Sequence, residues 1–261
     1  MRGKRVLLTG ATGGIGQAIA RALAARGARL TLTARRAEIL RDLAGELGAT
    51  TIAADLTDPA SIATLIHEAG RVDILVANAA LPSSGLITDF TAEEIDRALA
   101  VNLRAPILLS RELSAAMSAR RSGHIVLISS LAGKVAAGGA SLYSATKFGL
   151  RGFGIALRED LRPHGVGVSV IYPGFIRDAG MFADSGVELP RGVGTRTPTQ
   201  VATAVVRAIE RNRGEVDVAP LGLRVGSLIG GIAPGTVAAV NRRLGGARVA
   251  ENLAEGQRDK R

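Results

Sequence analysis

The stretch "VLLTGATGGIGQAIA", residues 6–20, carries a short apolar run into a cluster of glycines and then into a helix-like repeat of Ile and Ala. Gly10, Gly14 and Gly16 space as TGxxxGxG, and Gly10, Gly13 and Gly16 also space as GxxGxxG. Glycine permits the tight turn between strand and helix and lets an anion approach the backbone. The helix that follows turns free N–H groups and the positive end of its dipole toward that anion. A glycine cluster placed after a strand and before a helix reads as a cradle for the pyrophosphate of a dinucleotide.

Outward from this point the chain alternates. "ARLTLTA" is strand-like, and "AEILRDLAGELG" is helical and closes on Gly48. "TTIAADL" reads as a strand, and "DPASIATLIHEAG" opens on an Asp cap with Pro in its first turn. "VDILVANAA" and "GHIVLISS" are strands separated by a helical region from about Thr91 to Ala119. A helix from Tyr143 to Pro163 and the strand "VGVSVIYPG" follow. Apolar strands alternating with amphipathic helices predict a single α/β domain with a parallel sheet covered on both faces. The Gly-rich segment 175–198 lacks periodicity and reads as a lid, and an apolar, basic extension runs from 219 to 261.

At the end of the second strand stand Ala34, Arg35 and Arg36, where a free ribose hydroxyl would call for a carboxylate. A guanidinium at Arg35 suits a 2′-phosphate, which favours NADP(H), while Arg36 reads as the start of a solvated helix. "LYSATKFGL", residues 142–150, places Tyr143 and Lys147 four apart, so one helix face presents both side chains. An ammonium near a phenol stabilises the phenolate and makes the pair a general acid/base.

Composition narrows the classes. The 261 residues are 47% hydrophobic and contain no cysteine, which excludes disulfides and thiolate zinc sites. Val6 to Leu8 is too short for a signal core, and no stretch approaches a membrane span, so the expected location is cytoplasmic. Net charge is +10, but the arginines are scattered and aromatics are 3%, which argues against nucleic-acid binding. The three histidines, His67, His124 and His164, show no ligand or catalytic spacing, and no metal site is expected. Glu93, Glu94 and Asp96 suit a solvated first helical turn.

Together, "TGATGGIG", "ANAA" at 77–80, Asn102 in "VNLRAP", "ISSLAG" at 128–133, "YSATK" at 143–147 and "PGFI" at 173–176 resemble the short-chain dehydrogenase/reductase family. The match in order and spacing covers roughly residues 4–218. The resemblance implies a Rossmann-type, doubly wound sheet of seven mainly parallel strands and hydride exchange between a nicotinamide and a carbonyl or alcohol. It implies Tyr143 as acid/base, Lys147 as its partner, Ser130 (with Ser129 the weaker choice) as the carbonyl-orienting hydroxyl, and Asn102 in a water-linked proton relay. It implies a cofactor site of Gly10, Thr12, Gly13, Gly14, Ile15, Gly16, Arg35, Asp55, Leu56, Asn78, Tyr143, Lys147, Pro173, Gly174 and Ile176. Asp55 and Leu56 would flank the adenine, and Asn78 would lie near its ribose. Two positions depart from the family's pattern: Ala80 replaces the usual Gly, and Asp178 the usual Thr. The resemblance also implies a dimer or tetramer built through the helices near 91–119 and 143–163.

The resulting expectation is an NADP(H)-dependent oxidoreductase, a reductase of an apolar ketone or 3-oxoacyl substrate. A non-catalytic NADP(H)-binding regulator is the alternative from another class, and an intact Asn102, Ser130, Tyr143 and Lys147 set weighs against it. A nucleotide-sugar epimerase or dehydratase shares GxxGxxG but needs a larger substrate domain. Met181 and Phe182 are read evenly as a cover for an apolar substrate or as packing for the lid. Residues 219–240 are read as packing on the chain's own core in preference to grazing a membrane, although Arg224, Arg242 and Arg243 beside apolar residues resemble an interfacial pattern. Glycines and Pro234 argue there against one long amphipathic helix.

Overall fold

The computed structural model describes residues 1–187, 189, 193–233, 235 and 255–256. Among them seven strands form one sheet in the order β3-β2-β1-β4-β5-β6-β7, with every pairing parallel. The strands are β1 (Arg5–Thr9), β2 (Arg29–Thr33), β3 (Thr50–Thr51), β4 (Ile74–Ala77), β5 (Gly123–Ile128), β6 (Val166–Pro173) and β7 (Glu215–Val218). The helices are α1 (Gly14–Ala24), α2 (Ala37–Leu47), α3 (Pro59–Ala69), α4 (Ala92–Leu99), α5 (Ala105–Ala119), α6 (Ser141–Leu161), α7 (Pro198–Glu210) and α8 (Leu221–Ile232).

Successive strand residues face opposite sides of a sheet. In β1, Val6 and Leu8 join one apolar cluster with Ile19 and Leu23 of α1 and Val201 and Val205 of α7. Leu7 joins the other, with Leu65 of α3, Leu109 of α5 and Leu150 of α6. The central strands are therefore buried on both faces, as apolar runs joined by helical crossovers require. Strand order reverses between β1 and β4, and a doubly wound sheet opens its crevice at that point, beyond the carboxyl ends of the strands.

Local chemistry sets the helix ends. Asp58 accepts from Ala60 N (2.9 Å) and Ser61 N (3.1 Å) at the start of α3, and Gly48 closes α2 in the left-handed region at φ 60°. The acidic cluster at the start of α4 includes half of a capping box: Glu94 Oε2 accepts from Thr91 N, and Thr91 Oγ1 accepts from Glu94 N.

Three features differ from the sequence reading. The strand expected over "TTIAADL" pairs only at Thr50–Thr51, because it is the sheet edge and both residues are exposed. The region 91–119 is two helices joined by a π-helical turn, Ala100–Arg104, that contains Asn102. Helix α7 and strand β7 were not singled out by periodicity, although Thr197 and Gln200 form a second capping box at the start of α7. Helix α8 runs from directly after Pro220 to Ile232, ahead of Pro234, with one of its faces on the body of the protein. Pro234, Arg242 and Arg243, with the extension beyond 235 except 255–256, lie outside the described residues, as do 188 and 190–192 of the lid.

His124 enters β5 as a buried neutral imidazole. Ser169 donates to Arg213 O at 2.6 Å, which leaves its oxygen to accept from His124 Nε2 at 2.8 Å. Burial, helped by Arg158, pushes the imidazole down to about 4. The unfolded chain protonates first, near ~6.5, so this contribution is complete above that pH and is lost as pH falls toward 4. Urea unfolding should show wild type losing about 2 kcal/mol more than His124→Gln between about pH 7 and about pH 5. Equal losses in the two proteins would remove His124 as the cause.

Candidate active site

The crevice starts at Gly10, whose φ of +65° turns the chain out of β1. A Cβ there would stand 2.7 Å from Ala79 Cα, and one at Gly16 would stand 2.2 Å from Gly10 O, so neither position has room for a side chain. Thr9 Oγ1 accepts from Asn78 N (3.0 Å) and Ala79 N (3.1 Å). Asn78 Nδ2 donates to Thr9 O and Gly10 O, both at 3.1 Å. Thr9, which the sequence reading passed over, thus ties the ends of β1 and β4 together. Gly13 caps α1, and Gly14, Ile15 and Gly16 form its first turn, which holds no acidic residue to occupy the positive helix end.

The lid reaches this turn. A Cβ on Gly14 would stand 2.1 Å from Ala179 Cβ, and one on Gly180 would stand 3.8 Å from Ile15 Cδ1. Phe182 packs its ring 5.1 Å from that of Phe175, which ties the lid to its own base. Asp178, in place of the expected Thr, sits in the left-handed region at φ 72° and pairs with Arg177 at 3.5 Å on the surface. Ala80 has no such φ, so its methyl carries no backbone strain.

Arg36 is more than a solvated helix start. It is the N-cap residue of α2, and its guanidinium donates to Thr12 O (2.8 Å) and Thr12 Oγ1 (3.4 Å), clasping the glycine turn from the β2 side. Arg35 is exposed next to it, and its charge helps hold the Asp55 carboxyl below its ordinary range. The larger causes of that shift are the hydrogen bonds to Asp55 from the backbone (2.9 Å) and hydroxyl (2.8 Å) of Thr57. Leu56 is buried behind this turn. A glycine turn that a Cβ would fill, an uncompensated helix N-terminus and two adjacent guanidiniums fit a phosphorylated dinucleotide.

The proposed catalytic groups gather beyond β5 and β6. Lys147 is buried in α6 with Nζ donating to Ile128 O at 3.1 Å, 5.6 Å from the centre of the Tyr143 ring. Ser130 Oγ accepts from Ala132 N (3.1 Å) and donates to Pro173 O (3.4 Å), which brings the ends of β5 and β6 together. Ser129 turns away and donates to Lys147 O at 3.0 Å, so Ser130 is the hydroxyl beside Tyr143. Gly174 follows with its N bonded to Val218 O at 3.1 Å, and Ile176 is buried at the base of the lid, bridged to Arg196.

The electrostatics differ from the sequence expectation. Burial pushes the Tyr143 phenol up, against the Ser130 hydroxyl, which favours the phenolate. Burial pushes Lys147 down to about 8. Desolvation of both groups therefore outweighs the expected lowering of the phenol by the ammonium. Asn102 Oδ1 accepts from Leu81 N (2.7 Å), and its Nδ2 donates to Leu81 O (2.9 Å) and Ser83 Oγ (3.4 Å). The side chain is thereby engaged as a strut under the loop after β4, and it holds the π-helical turn against that loop.

A parallel sheet with this crevice, glycine turn and Ser–Tyr–Lys group defines a nucleotide-binding α/β oxidoreductase. The sequence model of the short chain dehydrogenase family matches residues 4–188. The chain is 37% identical over 227 residues to the ketoacyl reductase HetN of Nostoc sp., covering 84% of this chain and 79% of that protein. It is 39% identical over 180 residues to the 3-oxoacyl-[acyl-carrier-protein] reductase FabG of Escherichia coli, covering 67% and 74%. A short-chain dehydrogenase from Sphingobium yanoikuyae, solved in complex with NADPH, superposes with a TM-score of 0.75 at 28% identity, covering 89% of this chain and 95% of that one. The chain belongs to the short-chain dehydrogenase/reductase family, oxidoreductases of carbonyl and alcohol groups.

Gly133, the last residue of the ISSLAG motif, is a further site requirement, although its sequence context assigned it no role. A Cβ there would stand 2.6 Å from Lys147 O and 2.7 Å from Ser129 Oγ. Gly133→Ala should separate the Ser130 segment from α6 and lower carbonyl-reducing kcat about 10²-fold. Gly152→Ala on the same helix, where a Cβ meets nothing within 4 Å, should leave kcat unchanged. Steady-state kinetics on both variants check this.

Proposed function

We propose that the protein is an NADPH-dependent reductase of an apolar ketone or 3-oxoacyl substrate, working at the crevice beyond β1, β5 and β6. The observation that carries the reading is the convergence of Ser130, Tyr143 and buried Lys147 next to a glycine turn flanked by Arg35 and Arg36. The NADPH in the Sphingobium yanoikuyae complex and the names of the HetN and FabG relatives support the cofactor and the substrate class.

A dihydronicotinamide, when bound, would supply the hydride; the chain's own residues would do the rest. The Ser130 and Tyr143 hydroxyls hydrogen-bond the carbonyl oxygen as charge develops there, and Tyr143 gives up its phenolic proton to it. A phenol held up by burial is reliably protonated at neutral pH, which suits the reducing direction. Lys147 places positive charge behind the phenolate as it forms. Thr12, Gly13, Gly14, Ile15 and Gly16 hold the pyrophosphate, and Arg35 and Arg36 hold the 2′-phosphate. Asp55, Leu56 and Asn78 border the adenosine, and Pro173, Gly174 and Ile176 the nicotinamide. Asn102 acts as a positioning residue. Self-association is assigned to the helices of 91–119 and to α6, on which Phe148 and Ile155 are exposed seven residues apart.

Three measurements test this. Following NADPH oxidation with 3-oxoacyl thioesters and bulky ketones, Tyr143→Phe should lose at least about 10²-fold in turnover yet bind NADPH as wild type does. Normal turnover in that variant would defeat the assignment. The reductive kcat/KM should also fall as pH rises through about 8, where Lys147 loses its proton. In fluorescence titrations, Arg35→Ala should weaken NADPH binding about tenfold and leave NADH binding unchanged, whereas Arg36→Ala, which also frees the Thr12 turn, should weaken both and NADPH more. Equal weakening of both cofactors would place the arginines away from the 2′-phosphate.

A further inference from the structure

Helix α8 has two unlike faces. Gly230 lies on Val135, where a Cβ would stand 2.6 Å from Val135 Cγ2, and Leu223 lies near Gly174. Ser227 and Gly230 are buried. This inner face covers the segment after Ser130 and the turn after β6, at the rim of the active-site crevice. On the outer side Leu221, Val225, Leu228, Ile229 and Ile232 are exposed, Ile232 to 88%. At the helical step of about 100° per residue, these five side chains fall within an arc of about 100°, opposite the buried face. Single exposed leucines need no explanation, but a contiguous stripe marks an interaction surface.

What the stripe meets is indicated by charge. Arg224 lies on α8 beside the stripe and lines a cleft with Arg196, Arg207, Arg211 and Arg213. The acids of that cleft are engaged elsewhere: Asp217 with Lys134 at 2.6 Å, and Glu215 with Arg151 at 3.4 Å and the Tyr172 hydroxyl at 2.5 Å. Among the described residues Arg207, Arg211, Arg213 and Arg224 have no ion-pair partner. A two-fold contact between copies would set such a patch against itself, arginines facing arginines. A surface of phosphate headgroups over acyl chains matches both halves. The helix has 12 residues, about 18 Å in length, too short to cross a bilayer and suited to lying in its interface.

We propose that α8 and the adjoining arginine cleft dock the protein on an anionic phospholipid surface, with the crevice rim at the interface. Docking stands or falls independently of the reductase reading, because it is read without substrate. The full chain is sedimented with vesicles of phosphatidylcholine alone and with vesicles in which about a third of the lipid is phosphatidylglycerol. Wild type should partition onto the anionic vesicles and be released by high salt. Leu228→Glu/Ile232→Glu should lower the partition coefficient at least about tenfold, and Arg207→Glu/Arg211→Glu should lower it comparably. NADPH binding should be unchanged in both, since neither pair belongs to the cofactor site.

Failure of wild type to bind either vesicle would overturn the proposal, as would binding that neither variant weakens. A wild-type dimer in the absence of lipid, dissociated by Leu228→Glu/Ile232→Glu, would overturn it in favour of a second copy on the stripe. If the apolar variant fails to fold, the arginine variant and the salt dependence still decide.

Discussion

The site depends on how closely the ends of β1 and β4 approach each other. Gly10 lies so near Ala79 that no Cβ fits between them, and the Thr9 hydroxyl and Asn78 carboxamide stitch the two turns with four hydrogen bonds. The approach bends the chain sharply out of the sheet and starts α1 over the crevice, with its N–H groups aimed into it. The same turn then supplies Thr12 to Arg36, so the residue that caps α2 is held against the turn just before α1. Placement of the phosphate cradle and of the basic end of β2 follows from one steric constraint.

Burial shapes the chemistry at the far end of the crevice. Lys147 is kept charged by little more than the Ile128 carbonyl and is pushed down to about 8, while the phenol beside it is pushed up. The segment 128–133 serves several parts at once: Ile128 holds the ammonium, Ser129 holds the backbone of α6, Ser130 stands beside the Tyr143 phenol, and Gly133 permits the approach. Family membership supplies the reaction class, and these contacts supply the reason that each residue stands where it does.

Much of this was legible in the chain. Val6 to Gly16 carries strand, turn and helix in order, and the i,i+4 relation of Tyr143 and Lys147 needs only a helix to put both on one face. The alternation of apolar strands with helices closing on glycine implied a parallel, doubly covered sheet, because these signals are local and periodic. The resemblance carried Ser130 and the cofactor-site residues to their positions along the chain.

The tertiary structure decided what depends on contacts between distant segments. Which serine faces the phenol was settled by Ser129 turning onto Lys147 O, a contact across 18 positions. Arg36 joined the glycine turn across 24 positions, and Asn102 spent its amide on Leu81 across 21. The direction of the Tyr143 shift could not be read from spacing, since spacing places a charge nearby but does not report how much water the fold removes. Helix α8 illustrates the same limit: which of its faces packs on Val135, and which is left as an exposed apolar stripe, depends on a segment about 90 positions earlier in the chain.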